Sequence, residues 1–213
     1  MNNKINFKLY LITDRRRMDL GTIDEFFSEA LSETAPGDVA VQLRMKDLGG
    51  GVLLSMAEKI GKTMHAKGGL LFVNDRADVA MASGADGVHL GGTSFEATAV
   101  RKIFPEALVG VSTHSVEEAK KAEADGADFI VSGPVFETRS KPGLEDVMGV
   151  SVFSTVCKSV KIPVFALGGI DEKNAGIVMK AGAAGVACIS AVAASRDPAL
   201  TVKRLLEAIR KNT

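Results

Sequence analysis

Polar and basic side chains recur where the short apolar runs of this 213-residue chain break off, and their types suit the binding of anions. The stretch Asp38-Val-Ala-Val-Gln-Leu-Arg44-Met-Lys46 carries Gln42, Arg44 and Lys46 two residues apart, which in an extended strand puts all three on one side. Arg suits bidentate contact with phosphate oxygens and Lys a point-charge contact. Solvated rim charges are the plainer alternative for Arg44 and Lys46; a Gln inside the same strand favours a site. Asn74-Asp75 ends another apolar run, and Asp75 suits one oxygen ligand of Mg2+ that also touches phosphate oxygens, or equally a cap on the next helix. Ser112-Thr-His-Ser115 offers hydroxyls for anion oxygens, but Ser115 with Glu118 three residues on is a capping box and therefore structural. His89 and His114 lack the paired spacing of a metal site, and a hydrogen-bonded structural role is the plainer reading of each.

Two more stretches complete the inventory. Phe165-Ala-Leu-Gly168-Gly169 stops a strand on two glycines, which permit positive φ and leave no Cβ between the amides and a bound group. The helix expected over 173–181 would aim its N-terminal N–H groups at the same place, and the run ending Ile189-Ser190 supplies a second strand end beside it. The loop from Gly133 to about Asp146 is long in a chain otherwise lean in loops and reads as a lid bearing Thr138, Ser140 and Lys141. Summed, these groups describe room for two phosphate-bearing molecules, one of them a diphosphate with Mg2+. No nucleophile–base pair and no pair of carboxylates stands out, so the chemistry would lie in orienting charges on a leaving group.

Such residues need a scaffold that gathers strand ends. Strands of four to seven residues are expected at 8–13, 38–44, 69–73, 87–90, 108–111, 129–132, 163–166 and 186–189, alternating with helices at 22–33, 52–67, 77–83, 95–104 (Ser94 as N-cap), 116–124, 150–159, 173–181 and 198–210. Apolar strands alternating with helices imply a parallel sheet covered on its outer face, and eight even units without a linker imply one (β/α)8 TIM barrel spanning residues 1–213. A doubly wound open sheet is the alternative. The phrases Gly84-Ala-Asp86, Gly126-Ala-Asp128 and Gly182-Ala-Ala184, read as helix starts, recur just before strands, an echo of one repeated unit. Lys plus Arg and Asp plus Glu both number 26, which argues against a nucleic-acid footprint. Apolar runs break well short of the roughly 20 residues a membrane span needs, and the N-terminus has no signal-peptide pattern, so a cytoplasmic location is expected. Cys157 and Cys188 read as buried reduced thiols. Oligomeric state is not legible.

Tyr10-Leu-Ile-Thr-Asp14, Gln42-Leu-Arg-Met-Lys46, Asn74-Asp75, Ala85-Asp-Gly-Val-His-Leu-Gly91, Gly110-Val-Ser112, Gly133-Pro-Val-Phe-Glu-Thr138, Gly168-Gly169 and Ile189-Ser190 occur in order over nearly the whole chain. Together they resemble the thiamine phosphate synthase and thiazole tautomerase superfamily, and the synthase branch most. The resemblance implies a barrel enzyme that joins hydroxymethylpyrimidine diphosphate to a thiazole phosphate and releases pyrophosphate with Mg2+, the pyrophosphate leaving before the thiazole nitrogen traps a pyrimidine-methyl cation. It also implies that Arg44, Lys46, Asn74, Ser112 and Lys141 hold the diphosphate, and that Asp75 binds the metal. By the same likeness Gln42 faces the pyrimidine, and Thr138, Ser140, Gly169, Ile189 and Ser190 hold the thiazole phosphate.

Two departures stand against the synthase pattern. The second metal ligand, an Asp in the synthases, is Ser94 here, after Gly92-Thr93. That Ser is closer to the tautomerase branch, yet the His on which that branch relies is Pro134. A tautomerase-like isomerase and a non-catalytic binder of thiamine-pathway phosphates stay open as alternatives.

Overall fold

The computed structural model describes residues 5–138 and 147–212. Eight parallel strands follow chain order around a closed barrel: β1 (Leu9–Ile12), β2 (Val39–Leu43), β3 (Leu70–Asn74), β4 (Gly87–Leu90), β5 (Leu108–Thr113), β6 (Phe129–Ser132), β7 (Val164–Leu167) and β8 (Gly185–Cys188). Closure comes from β8 pairing back onto β1, with Leu9 opposite Val186 and Leu11 opposite Cys188. Between the strands run α1 (Ile23–Ala30), α2 (Gly50–Ala66), α3 (Ala77–Ser83), α4 (Ala97–Ile103), α5 (Val116–Ala124), α6 (Gly149–Ser159) and α7 (Ala175–Lys180). After β8 come a single turn, α8 (Ser190–Ala193), and the closing α9 (Pro198–Arg210). This is the (β/α)8 barrel that the alternation implied; the open-sheet alternative is excluded by the closed strand order.

Strand alternation divides the apolar residues into two cores. Outward positions such as Leu9, Leu11, Val41, Val73, Val88 and Ile130 join the inner faces of the helices. Inward positions fill the barrel with rings: Phe7, Tyr10, Phe72, Phe129 and Phe165 are fully buried or nearly so, with centroids 4.6–6.4 Å apart in the contacts among them. Glycines make the space for this plug. A Cβ on Gly110 would lie 2.4 Å from the Phe129 ring, and one on Gly185 would lie 2.6 Å from the Phe165 ring. Both sit inward on their strands, so the small residue is set by its neighbour's bulk. Phe7 closes the lower end, stacked on Phe165, and leaves the upper end open to the polar strand termini.

The Gly-Ala-Asp phrases prove to end helices. Gly84 and Gly126 take the left-handed conformation that only glycine adopts freely, with φ 68° and 92°. The amides of Ala85 and Ala127 then bond back to the Ala80 and Ala122 carbonyls. The Asp that follows turns its carboxylate onto an earlier strand: Asp86 accepts from the Leu71 amide at 2.8 Å, and Asp128 from the Val109 amide at 2.7 Å. Each phrase thus stops a helix and pins the preceding strand, which is why the unit recurs.

Candidate active site

The upper ends of the strands surround a cavity of about 860 Å3. Gln42 reaches it from inside β2 and is 2% exposed; Arg44 and Lys46 follow on the loop beyond. The loop carrying Arg44 is braced by β1. Thr13 Oγ1 accepts from the Arg44 amide at 2.7 Å, and the Thr13 amide donates to the Gln42 carbonyl at 3.0 Å. Arg44 and Lys46 are therefore a half-buried and an exposed cation at the wall of one cavity, carried there by the loop that continues from β2, which stops at Leu43 and not at Arg44 as expected.

Asn74, at the end of β3, lines the same cavity, and Asp75 beside it has positive φ, 61°. An Asp tolerates this left-handed conformation better than most residues. The N-cap of α3 is Arg76 and no side chain caps it, so the helix-cap alternative for Asp75 does not hold. Instead Asp75 Oδ2 accepts from Asn74 Nδ2 at 2.6 Å and faces Lys46 Nζ at 3.8 Å, while Oδ1 meets the Ser94 hydroxyl. Ser94 Oγ also accepts from the Gly91 amide at 2.6 Å. Ser94 is consequently not the N-cap expected from the sequence. Glu96 occupies that position, α4 starts at Ala97, and the Ser94 side chain is committed to Asp75 and the β4–α4 turn.

Ser112, near the end of β5, faces the cavity and meets His89 Nε2 at 2.9 Å; the other ring nitrogen of His89, Nδ1, lies 3.3 Å from the Tyr10 hydroxyl. Burial pushes the His89 imidazolium pKa down from 6.5 to about 3, with Asp75 opposing and Arg44 adding to the shift, so the ring is neutral at physiological pH. The Tyr10 phenol is wholly buried and its pKa is raised well above 10.0 for the same reason. His114, next to β5 on the cavity wall, holds Nδ1 2.5 Å from the Gly133 carbonyl; only an N–H can sit there, so Nδ1 is the donor. Ser115 caps α5 as expected, accepting from the Glu118 amide at 3.1 Å, although Glu118 reaches back to the His114 amide and not to that of Ser115.

Across the cavity, Gly168 and Gly169 have φ 102° and 63°. Their lack of side chains is required twice over, because a Cβ on Gly169 would lie 2.3 Å from the Glu137 carbonyl oxygen and one on Gly168 2.5 Å from Pro134. The helix expected straight after this turn begins only at Ala175. Between them Asp171 Oδ1 accepts from the Lys173 and Asn174 amides, and Asn174 Nδ2 donates to the Gly169 carbonyl at 2.8 Å. The amides first expected to face the cavity are thus capped by Asp171. The helix that does start at a strand end on the cavity is α8, unforeseen in the sequence, beginning at Ser190 immediately after Ile189. Thr138, Gly169, Ile189 and Ser190 all line the cavity. Ser140 and Lys141 lie outside the described residues.

A profile of the thiamine monophosphate synthase family matches residues 9–192. The putative thiamine-phosphate synthase of Geobacter sulfurreducens is 42% identical over 211 residues, 99% of this chain and 98% of that protein. The thiamine-phosphate synthase of Coprothermobacter proteolyticus is 41% identical over 207 residues, 97% and 96% of the two chains. The solved thiamine phosphate pyrophosphorylase of Pyrococcus furiosus superposes with a TM-score of 0.86 at 34% identity, covering 99% of each chain. The chain belongs to the thiamine monophosphate synthase family. A 3-hexulose-6-phosphate synthase with a TM-score of 0.69 at 20% identity shares the fold alone.

In this member of the thiamine monophosphate synthase family the site also rests on supporting contacts that the sequence did not specify, although the hydrogen-bonded role read for His89 holds. Thr13 braces the Arg44 loop, and Tyr10 and His89 stand behind Ser112. A signal existed for His89, which shares the inward parity of Gly87 on β4 and so had to point into the barrel. No sequence pattern pairs it with Tyr10, 79 residues away. Among the described residues no cluster of three His, Cys, Asp or Glu side chains forms. Asp75 and Ser94 offer one carboxylate and one hydroxyl in mutual contact, both hard oxygen donors. That partial shell fits Mg2+, which keeps waters and takes remaining positions from substrate phosphates, and would not fit an ion needing a full protein cage.

Proposed function

We propose that this chain couples hydroxymethylpyrimidine diphosphate to a thiazole phosphate, giving thiamine phosphate and pyrophosphate. One observation carries the reading: Gln42, Arg44, Lys46, Asn74 and Ser112 from β2, β3 and β5 share a single cavity with Gly169 and Ser190 from the far side. Two anion-binding walls facing one space suit two phosphate-bearing substrates held for reaction, and holding reactants in line is itself a large part of such a rate enhancement.

Arg44 and Lys46 would draw charge toward the departing diphosphate, Arg through a planar pair of donors and Lys as a point charge. Asn74 and Ser112 would add neutral donors, and Lys141 is assigned to the same group by family likeness. Each such donor, aimed where negative charge grows, is worth roughly 10²–10³ in rate. Gln42, buried at the cavity wall, would hold the pyrimidine edge. Thr138, Ser140, Gly169, Ile189 and Ser190 would hold the thiazole phosphate. Asp75 with Ser94 would hold Mg2+, which supplies further neutralisation of the diphosphate when bound. The coupling breaks a C–O bond and forms a C–N bond without a net proton transfer from carbon, so a neutral His89 is compatible with it. No helix among the described residues is long and apolar enough to cross a membrane, in keeping with action in the cytoplasm on small molecules.

The test is direct. Both phosphorylated halves are mixed with the protein and Mg2+, and thiamine phosphate and pyrophosphate are resolved by chromatography. Absence of both products would remove the reading. Aromatisation of the thiazole without coupling would move the chain to the isomerase branch, which Ser94 favours and Pro134 disfavours by family likeness.

A further inference from the structure

We propose that Tyr10 and His89 are positioning residues that fix the proton direction of the Ser112 hydroxyl, so that it meets bound substrate only as a hydrogen-bond donor. Tyr10 has no exposure, and its ring packs against the rings of Phe7, Phe72, Phe129 and His89. Among the described residues its one hydrogen-bond partner is His89 Nδ1, at 3.3 Å. A phenol has one proton, and in this setting that proton must go to Nδ1 or go unpaired. Leaving a buried donor unpaired is disfavoured on the order of tenfold or more. Nδ1 is therefore the bare nitrogen, and in a neutral imidazole the proton then sits on Nε2.

That proton points at Ser112 Oγ, 2.9 Å away. Having accepted from Nε2, the hydroxyl has its own proton left over, and Ser112 lines the cavity. The relay runs from Tyr10 through Nδ1 and Nε2 to Ser112 and ends with an O–H turned to the ligand. Protonating the ring would break it, since Nδ1–H would confront the phenol proton. Burial of the ring acts in the same direction. Two consequences follow. Ser112 is not a nucleophile activated by His89, because Nε2 carries the proton and cannot accept one. The cavity also selects, at this point, a group with a lone pair, such as a phosphate oxygen, over one that presents an N–H. Gly110 belongs to the same device: a Cβ there would lie 2.7 Å from His89 Nδ1 and push the ring off line.

The substrate half of this proposal rests on the assignment of Ser112 to the diphosphate, and two measurements on the full chain separate the parts. Nitrogen-15 NMR of the imidazoles at neutral pH reads the tautomer without any ligand. A protonated Nε2 and bare Nδ1 on His89 are expected, with mixed tautomers in Tyr10→Phe, where no phenol proton dictates the choice. A protonated Nδ1 in the wild type overturns the relay, and an unchanged single tautomer in Tyr10→Phe overturns the part given to Tyr10.

Pyrophosphate titration then reads the hydroxyl. His89→Leu is expected to weaken binding about as much as Ser112→Ala, on the order of tenfold, and the double variant no further. His89→Gln, which can accept from Tyr10 and donate to Ser112, is expected to stay within about threefold of wild type, whereas a packing role would leave Gln no better than Leu. Additive losses, or Gln no better than Leu, overturn the proposal. Ser112→Ala binding pyrophosphate as tightly as wild type overturns its substrate half. Wild-type protein that binds pyrophosphate through this relay yet forms no thiamine phosphate would instead refute the proposed coupling and leave the relay standing.

Discussion

Acid should unfold this barrel partly through one imidazole. His89 is 2% exposed and its folded pKa is about 3, against 6.5 in the unfolded chain. Below pH 6.5 the unfolded state takes up a proton that the folded state refuses, so stability is full above 6.5 and is lost as pH falls toward 3. Each pH unit in that window removes about 1.4 kcal/mol, and lowering the pH from 7.5 to 4.5 crosses about two units of it, a loss of roughly 2.7 kcal/mol. For a chain of this length that corresponds to a fall in Tm of roughly 5–10 °C.

Other groups titrate over the same range, so the measurement is a difference. Urea unfolding, followed by circular dichroism, is compared at pH 7.5 and 4.5 for wild type and for His89→Gln, which keeps a hydrogen-bonding side chain but cannot titrate. The carboxylates common to both proteins cancel, as does any constant cost of the substitution. Wild type should lose about 2–3 kcal/mol more than the variant on acidification. If the two lose the same amount within about 0.5 kcal/mol, His89 is protonated in the folded protein, and its place in a dry, single-tautomer relay is wrong.

Further expectations follow from the same geometry. Arg44→Ala should slow coupling more than about tenfold with little change in unfolding midpoint, since the Thr13 brace acts on the Arg44 backbone; an unchanged steady-state rate would take Arg44 off the leaving group. Ser94→Asp should raise the affinity for Mg2+ in the presence of pyrophosphate, read by calorimetry, because a carboxylate replaces a hydroxyl beside Asp75; unchanged or weaker affinity would place the ion elsewhere. Phe129→Ala should cost about 3–5 kcal/mol in urea unfolding, as the ring contacts Phe7, Tyr10, Phe72 and Phe165 at the centre of the barrel.

What was legible in the sequence was whatever depends on local periodicity. Alternation read along 38–46 put Gln42, Arg44 and Lys46 on the cavity side, where all three lie even though β2 itself stops at Leu43, and the eight-fold rhythm gave the barrel. The errors cluster where a side chain had two partners to choose from. Ser94 was read as a cap because it precedes a helical pattern; a carboxylate 19 residues away claimed its hydroxyl. The amides after Gly168-Gly169 were read as open, but Asp171 and Asn174 close that turn locally. The one-turn α8 is too short to show helical periodicity at all. Tyr10 looked like one more apolar strand residue, because nothing local reveals that its hydroxyl finds an imidazole across the barrel.

The contact between Lys46 and Asp75 has a bearing on how the site can accept charge. At 3.8 Å, with side chains 52% and 31% exposed, such a pair is worth only roughly 0–1 kcal/mol, so an entering anion can draw Lys46 away at small cost. Asp75 cannot follow it. Its backbone is fixed in the left-handed conformation, Asn74 holds one carboxylate oxygen at 2.6 Å, and Ser94 holds the other. The two members of the pair are therefore unequal, a movable cation against an anchored carboxylate. Under the proposed reading, the diphosphate recruits the cation, and the carboxylate it leaves behind becomes the place where a counter-cation gains most. Metal and diphosphate should then bind cooperatively, and Lys46→Ala should weaken that cooperativity by making Asp75 available beforehand. Calorimetric titration of Mg2+ with and without pyrophosphate, in wild type and Lys46→Ala, measures the coupling; equal coupling in both proteins would show that the ion pair plays no part in it.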